Sequence, residues 1–134
     1  MKNISVLQNL NTVFTQPYPH ICIDDALPED VYKELEETFP EELVCDTQPH
    51  DGGICYRYKS NPALVDNLIP NIWRDFFTYH TSKEYFTECI NAFEPHIEKE
   101  YPDLLEKLYA GNVTVRDVDN TGNYVTDCQF VVHE

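Results

Sequence analysis

The spacing of apolar residues changes several times along the chain, and each change predicts an element. After a polar lead-in, Pro17-Tyr18-Pro19 enforces extended backbone, and the alternation from His20 to Asp24 predicts a short early strand. Asp25-Ala26-Leu27-Pro28 turns the chain. Val31, Leu35 and Phe39 then recur at helical spacing, with Pro28 at the first helical position, acids at Glu29 and Asp30, and Pro40 as the stop. Residues 41–60 carry the weakest pattern, a loop around Gly52-Gly53 running into a short strand at Tyr56-Arg57-Tyr58. Asn61-Pro62 opens a short helix through Leu64, Val65 and Leu68.

Pro70 opens the next helix, with Trp73, Phe76, Phe77 and His80 at helical spacing. Thr81-Ser82-Lys83-Glu84 has the form of a capping box and starts a helix with Phe86, Cys89, Ile90, Phe93 and Ile97 on one face. Pro102 opens the last helix, Leu104, Leu105 and Leu108 facing inward and Gly111 ending it. From Val113 the period returns to two. Two strands around the turn cluster Asp119–Asn123 predict a hairpin over 112–134. The pattern as a whole is α+β: a mainly helical region with one early strand and a C-terminal hairpin, in one domain spanning 1–134. Three or four strands are too few for a closed barrel.

Charge narrows the function classes. The 134 residues carry 24 acids against nine Lys and Arg, a net charge of −15 that repels nucleic-acid backbones and anionic membranes. Direct nucleic-acid or membrane binding is therefore not expected. Segment 24–46 holds ten Asp and Glu against Lys33 alone, either a solvated helix face or the docking surface for a basic partner. Seven Phe, nine Tyr and one Trp supply large rings to a small core. Five cysteines without a CxxC spacing predict isolated thiols in a reducing compartment. With no apolar leader or membrane span in the sequence, a cytoplasmic location is expected.

Few side chains suggest chemistry. Arg57, a rare cation between Tyr56 and Tyr58, either binds an anion or an acidic substrate group, or pairs with one of the many carboxylates. His50-Asp51 lies in the Gly-rich loop, where it either approaches a substrate or is merely exposed. His80 is expected to cap helix-end carbonyls or to pack beside Trp73.

Pro17-Tyr-Pro-His-Ile-Cys-Ile-Asp-Asp-Ala-Leu-Pro28, with a helix ending in Thr38-Phe39-Pro40, resembles the opening of the prolyl-hydroxylase-like 2-oxoglutarate/Fe(II)-dependent oxygenases of bacteria and marine phages. Trp73-Arg-Asp-Phe-Phe-Thr-Tyr-His-Thr-Ser82 with Phe86 resembles the family's next helical signature, and Asp127-Cys128-Gln129 the strand before its catalytic barrel. The resemblance spans about residues 13–134. It implies the N-terminal portion of a double-stranded β-helix, or jelly roll, lacking the catalytic barrel strands.

In the complete family, Fe(II) is held by His-x-Asp and a distant His, and an Arg or Lys pairs the 2-oxoglutarate carboxylate. Both features follow the Asp-Cys-Gln strand, so no catalytic residue, iron ligand or cofactor is assigned to this chain. Its one His-x-acid pair, His96-Ile97-Glu98, falls in a helical stretch where the two side chains diverge. The resemblance also suggests that Arg116 and Gln129 face the barrel mouth. Two functions follow: an oxygenase portion inactive by itself, or a non-catalytic acidic protein that binds a basic protein surface or imitates nucleic-acid charge. Expected partners are a C-terminal oxygenase half, a second copy through the 112–134 hairpin, or a basic protein.

Overall fold

The computed structural model describes residues 4–47, 49, 51–53 and 55–133. An antiparallel pair precedes the first helix: β1 (Val13–Phe14) lies against β2 (His20–Ile21), with Val13 opposite Ile21 and Phe14 opposite His20. The early strand is thus shorter than the alternation predicts, and its partner comes from the polar lead-in. Helix α1 (Glu29–Glu37) buries Val31 and Leu35, one turn apart on one face. Pro28 stands just before its first turn as the N-cap residue. Thr38 ends it, its backbone N–H and its hydroxyl both donating to the Glu34 carbonyl. A short helix α2 (Glu41–Cys45) follows where the sequence shows little periodicity, anchored by the buried Val44.

After a 3₁₀ turn at Asp51–Gly53, β3 (Cys55–Lys59) crosses the molecule to pair antiparallel with β6 (Gln129–His133). Helices α3 (Ser60–Val65) and α4 (Asn71–His80) complete the layer on which this pair sits. Phe130 of β6 is buried in its middle, 4.5 Å from Phe77 and 5.0 Å from Trp73 between ring centres. Val44, Ala63 and Ile69 close the same core. Val65 and Leu68, read as positions of this short helix, are 75% and 73% exposed. Helix α3 ends at Val65, and the extended backbone at Asp66 takes the following residues off the helical face.

Ser82, rather than Thr81, caps α5 (Lys83–Glu100), its hydroxyl accepting from the Tyr85 N–H. Thr81 instead closes α4, its hydroxyl donating to the Phe77 carbonyl, so Glu84 has no capping box to complete. Helix α6 (Pro102–Ala110) packs along α5. Leu105 and Leu108 are half-buried, while Leu104 is exposed. Lys83 spans the two helices, its Nζ donating to the carbonyls of Tyr109 at 2.8 Å and Gly111 at 2.5 Å, where α6 leaves acceptors unpaired.

The terminal hairpin does not form. Strand β4 (Val113–Val115) pairs with β5 (Tyr124–Thr126) in parallel, and the chain breaks at Asp127-Cys128 before β6 leaves for β3. The intervening residues make a loop that returns the chain to its starting end. Asp117 there is left-handed at φ 64°, its N–H donates to Asn120, and Thr121 donates twice to Asp119. These side-chain bonds outcompete the tight two-residue turn that an antiparallel hairpin needs. Close approach adds to the constraint: a Cβ at Gly122 would sit 2.6 Å from the Thr114 hydroxyl. The self-association surface expected of a hairpin is accordingly altered, since one edge of β6 is covered by β3.

Helices and antiparallel and parallel strand pairs together make the fold α+β. Among the described residues no helix is long and apolar enough to cross a membrane. All five cysteines are free; Cys55 is buried, Cys22 exposed and the others intermediate. Because Phe130 is buried and Val131 stands on the opposite face, the two should respond very differently to truncation. Phe130→Ala should cost roughly 3–5 kcal/mol in urea unfolding, whereas Val131→Ala should stay within about 0.5 kcal/mol.

Candidate functional site

Strand alternation divides the residues singled out in β3. Tyr56 and Tyr58 turn toward the helical layer, opposite Val132 and Phe130. Arg57 and Lys59 project from the other face, opposite Val131 and Gln129. Arg57 thus projects from the side of the strand opposite the Tyr56 and Tyr58 side chains, because successive side chains on a strand alternate. Tyr58 has a structural task, donating its hydroxyl to Asp66. Burial first, and that carboxylate second, push its pKa up to about 12. The same hydrogen bond, with one from the Leu68 N–H, holds the Asp66 carboxyl below the usual range.

Arg116 and Gln129 do come together, through a residue whose part in the site the sequence did not reveal. Asp127 accepts from the Gln129 amide at 2.8 Å, the Cys128 N–H at 2.9 Å and the buried Ser60 hydroxyl at 3.1 Å. The Arg116 guanidinium lies 3.6 Å from it. Asp127 therefore joins the end of β4, the start of α3 and the start of β6. A carboxylate in the middle of an otherwise apolar strand pattern was the available signal, together with a serine directly before Asn61-Pro62. Lys59, also unforeseen, stands 3.8 Å from Asp117. Both ion pairs are long and their cations more than half exposed, so they contribute little stability and leave positive charge facing solvent.

The resulting face is a shallow cationic strip in a strongly acidic protein: Arg57 and Lys59 on β3, Arg116 at its border, and Gln129 as a neutral amide. Lys59 and Arg116 can attract a carboxylate or phosphate there, and among the described residues no nucleophile stands beside a base on this face. The nearest such combination is Cys55 and His133, sulfur and Nε2 at 4.0 Å, and that thiol is completely buried. Cys128 borders the strip, but burial, followed by the neighbouring Asp127, raises its thiol to about 11. A thiol so protonated is a poor nucleophile.

Among the described residues the remaining histidines do not converge. His96 and Glu98 both lie within α5, two residues and about 200° of rotation apart. His20 has its Nδ1 2.8 Å from the Tyr18 carbonyl. His80 accepts the Val6 N–H on Nε2 and contacts the Phe76 carbonyl through Nδ1, as expected of a residue capping a helix end. His50 and the Asp51 side chain lie outside the described residues. Among the described residues no group of three or more His, Cys, Asp or Glu is placed to hold a metal ion.

Two consequences can be measured. Replacing Asp127 by Ala leaves the Ser60 hydroxyl buried without its acceptor, and should cost about 1–3 kcal/mol in chemical denaturation. His80 is held below its ordinary pKa by burial, against the opposing bond to Phe76. Its neutral form is the folded one, so its contribution is complete above the unfolded value near 6.5. That contribution falls as pH drops from there toward the lower folded pKa. The melting temperature of the wild type should therefore decline more steeply between pH 7 and 5 than that of His80→Gln (roughly the range over which histidine titrates).

In comparisons with known proteins, no family model, no curated protein and no solved structure matches the chain.

Proposed function

We propose that residues 13–134 are the helical support and opening strands of a 2-oxoglutarate/Fe(II)-dependent oxygenase of prolyl-hydroxylase-like type, without turnover of its own. The observation that carries this reading is the β3–β6 pair. One face is seated on an aromatic layer formed with α4, and the other presents Arg57 and Lys59 to solvent beside the half-buried Gln129. Among the described residues each strand pair remains two-stranded. A jelly roll requires about eight strands in two sheets. Further strands laid beside this pair would complete such a sheet and bring their own inward-facing ligands. The Asp127-Cys128-Gln129 segment, which carries the resemblance, is also where this pair is pinned to the helices.

Iron and 2-oxoglutarate belong, on this reading, to the complete enzyme, and no step of their chemistry is assigned to residues here. The test is succinate release from 2-oxoglutarate with Fe(II). The chain alone should release none. Co-expression with a polypeptide encoded downstream or nearby, and carrying His-x-Asp followed by His and Arg or Lys, should release it. Turnover by the chain alone that disappears in His96→Ala would sink the proposal, as would the absence of any such coding sequence.

One observation favours a second reading, a non-catalytic acidic interaction protein. All ten acids of segment 24–46 are exposed. Such a surface suits a basic protein partner.

A further inference from the structure

The acidic segment borders an apolar depression that neither reading requires. Helix α1 and helix α4 meet at an angle that leaves a hollow of about 380 Å³, floored by Trp73 and Phe76 and walled by Tyr32 and Glu36. A second, larger hollow of about 780 Å³ shares Leu27 and Tyr32 with it and carries Asp25 and Glu29 on its rim. Together they make one groove running past Tyr32, aromatic at one end and acidic along its length. Among the described residues no Lys or Arg lines either hollow. Lys33 stands outside them, paired to Glu29 at 2.9 Å in an exposed contact worth little.

We infer that this groove docks a basic, partly apolar peptide segment of another protein, laying a Lys or Arg side chain across Tyr32 and Trp73 beside Glu36. The proposal deepens the acidic-interaction reading and rests on it; it is independent of any oxygenase activity. Charge complementarity selects the occupant. An apolar ligand would leave three rim carboxylates facing it, and an anionic one would be repelled by them and by the rest of α1. A cation with an aliphatic stem satisfies both parts, its stem covering the rings and its head meeting the carboxylates. Tyr32 is 55% exposed on α1, whose Val31 and Leu35 are buried. Its ring is available to form one wall of the site at no cost to the core.

Trp73 is the one tryptophan of the protein, so its emission reports directly on the groove. The full chain is titrated with a synthetic peptide of alternating Lys and Leu, with a Lys–Ser peptide and with a Glu–Leu peptide. The Lys–Leu peptide should change Trp73 emission saturably and bind more weakly at high salt. Lys–Ser should bind about tenfold more weakly, the factor expected for losing roughly 1.4 kcal/mol of apolar contact, and Glu–Leu should not bind. The double variant Tyr32→Ala, Glu36→Gln, both exposed positions, should lose most of the affinity. Glu98→Gln on α5 should lose none. If Glu98→Gln weakens binding as much as the groove variant does, attraction is diffuse; the groove proposal fails and the acidic-interaction reading stands. If neither the Lys–Leu peptide nor polylysine binds by fluorescence or calorimetry, both fail.

Discussion

The packing of Trp73 is the contact on which the rest of the structure depends. Its ring lies edge-on to Phe39 at 5.7 Å, Phe76 at 5.6 Å and Phe130 at 5.0 Å. Its Nε1–H donates to the Leu35 carbonyl at 3.0 Å, near the end of α1. One side chain thereby joins α1, α4 and β6, and touches both buried clusters of the core. A small domain has little interior, so a few rings must supply much of the buried area. The indole N–H finds an acceptor where a helix end has a carbonyl to spare, which removes the desolvation cost of placing Trp there.

A polar joint complements this apolar one. Asp127 holds Ser60, Cys128 and Gln129 by hydrogen bonds and has Arg116 nearby, at the point where the chain must leave the parallel pair and enter the antiparallel one. Strand breaks expose backbone donors, and a carboxylate with several lone pairs can satisfy them. Arg74 and Lys83 perform related work at helix ends. Arg74 donates to the carbonyls of Asp66 and Ile69, and Lys83 to those ending α6. Some of the scarce cations are thus committed to backbone, while Arg57, Lys59 and Arg116 mark the sheet face.

Charge is consequently uneven along the chain. The acids of 24–46 lie on solvent-facing positions of α1, α2 and their flanking turns, whereas Arg57, Lys59 and Arg116 stand on β3 and just after β4. This arrangement gives the two functional readings different surfaces of the molecule. The sheet face is where further strands or an anionic group would meet the chain. The groove beside α1 is where a basic segment would. The aromatic floor of that groove belongs to the same Trp73 cluster that organises the core, so recognition there would be built on a rigid support.

Local pattern alone determined the helices α1, α4, α5 and α6, since each combines apolar residues at a 3.6 period with a proline or serine start. It likewise determined the alternation of β3 and the acidic surface of 24–46. Tertiary structure decided what those elements face. Alternation cannot say which side of β3 is inward until Phe130 arrives from the far end of the chain to cover Tyr58. Nor could the turn cluster at 119–123 disclose strand direction, because Asp119 and Asn120 close a returning loop with their own side chains. Val65 and Leu68 read as apolar helix positions, yet the helix stops before their periodicity can act. Asp127 and Ser60 became a joint only through their proximity in space. Periodicity is a property of neighbours in sequence, whereas strand pairing, burial of a given face and satisfaction of a polar group are settled by partners that are distant in sequence.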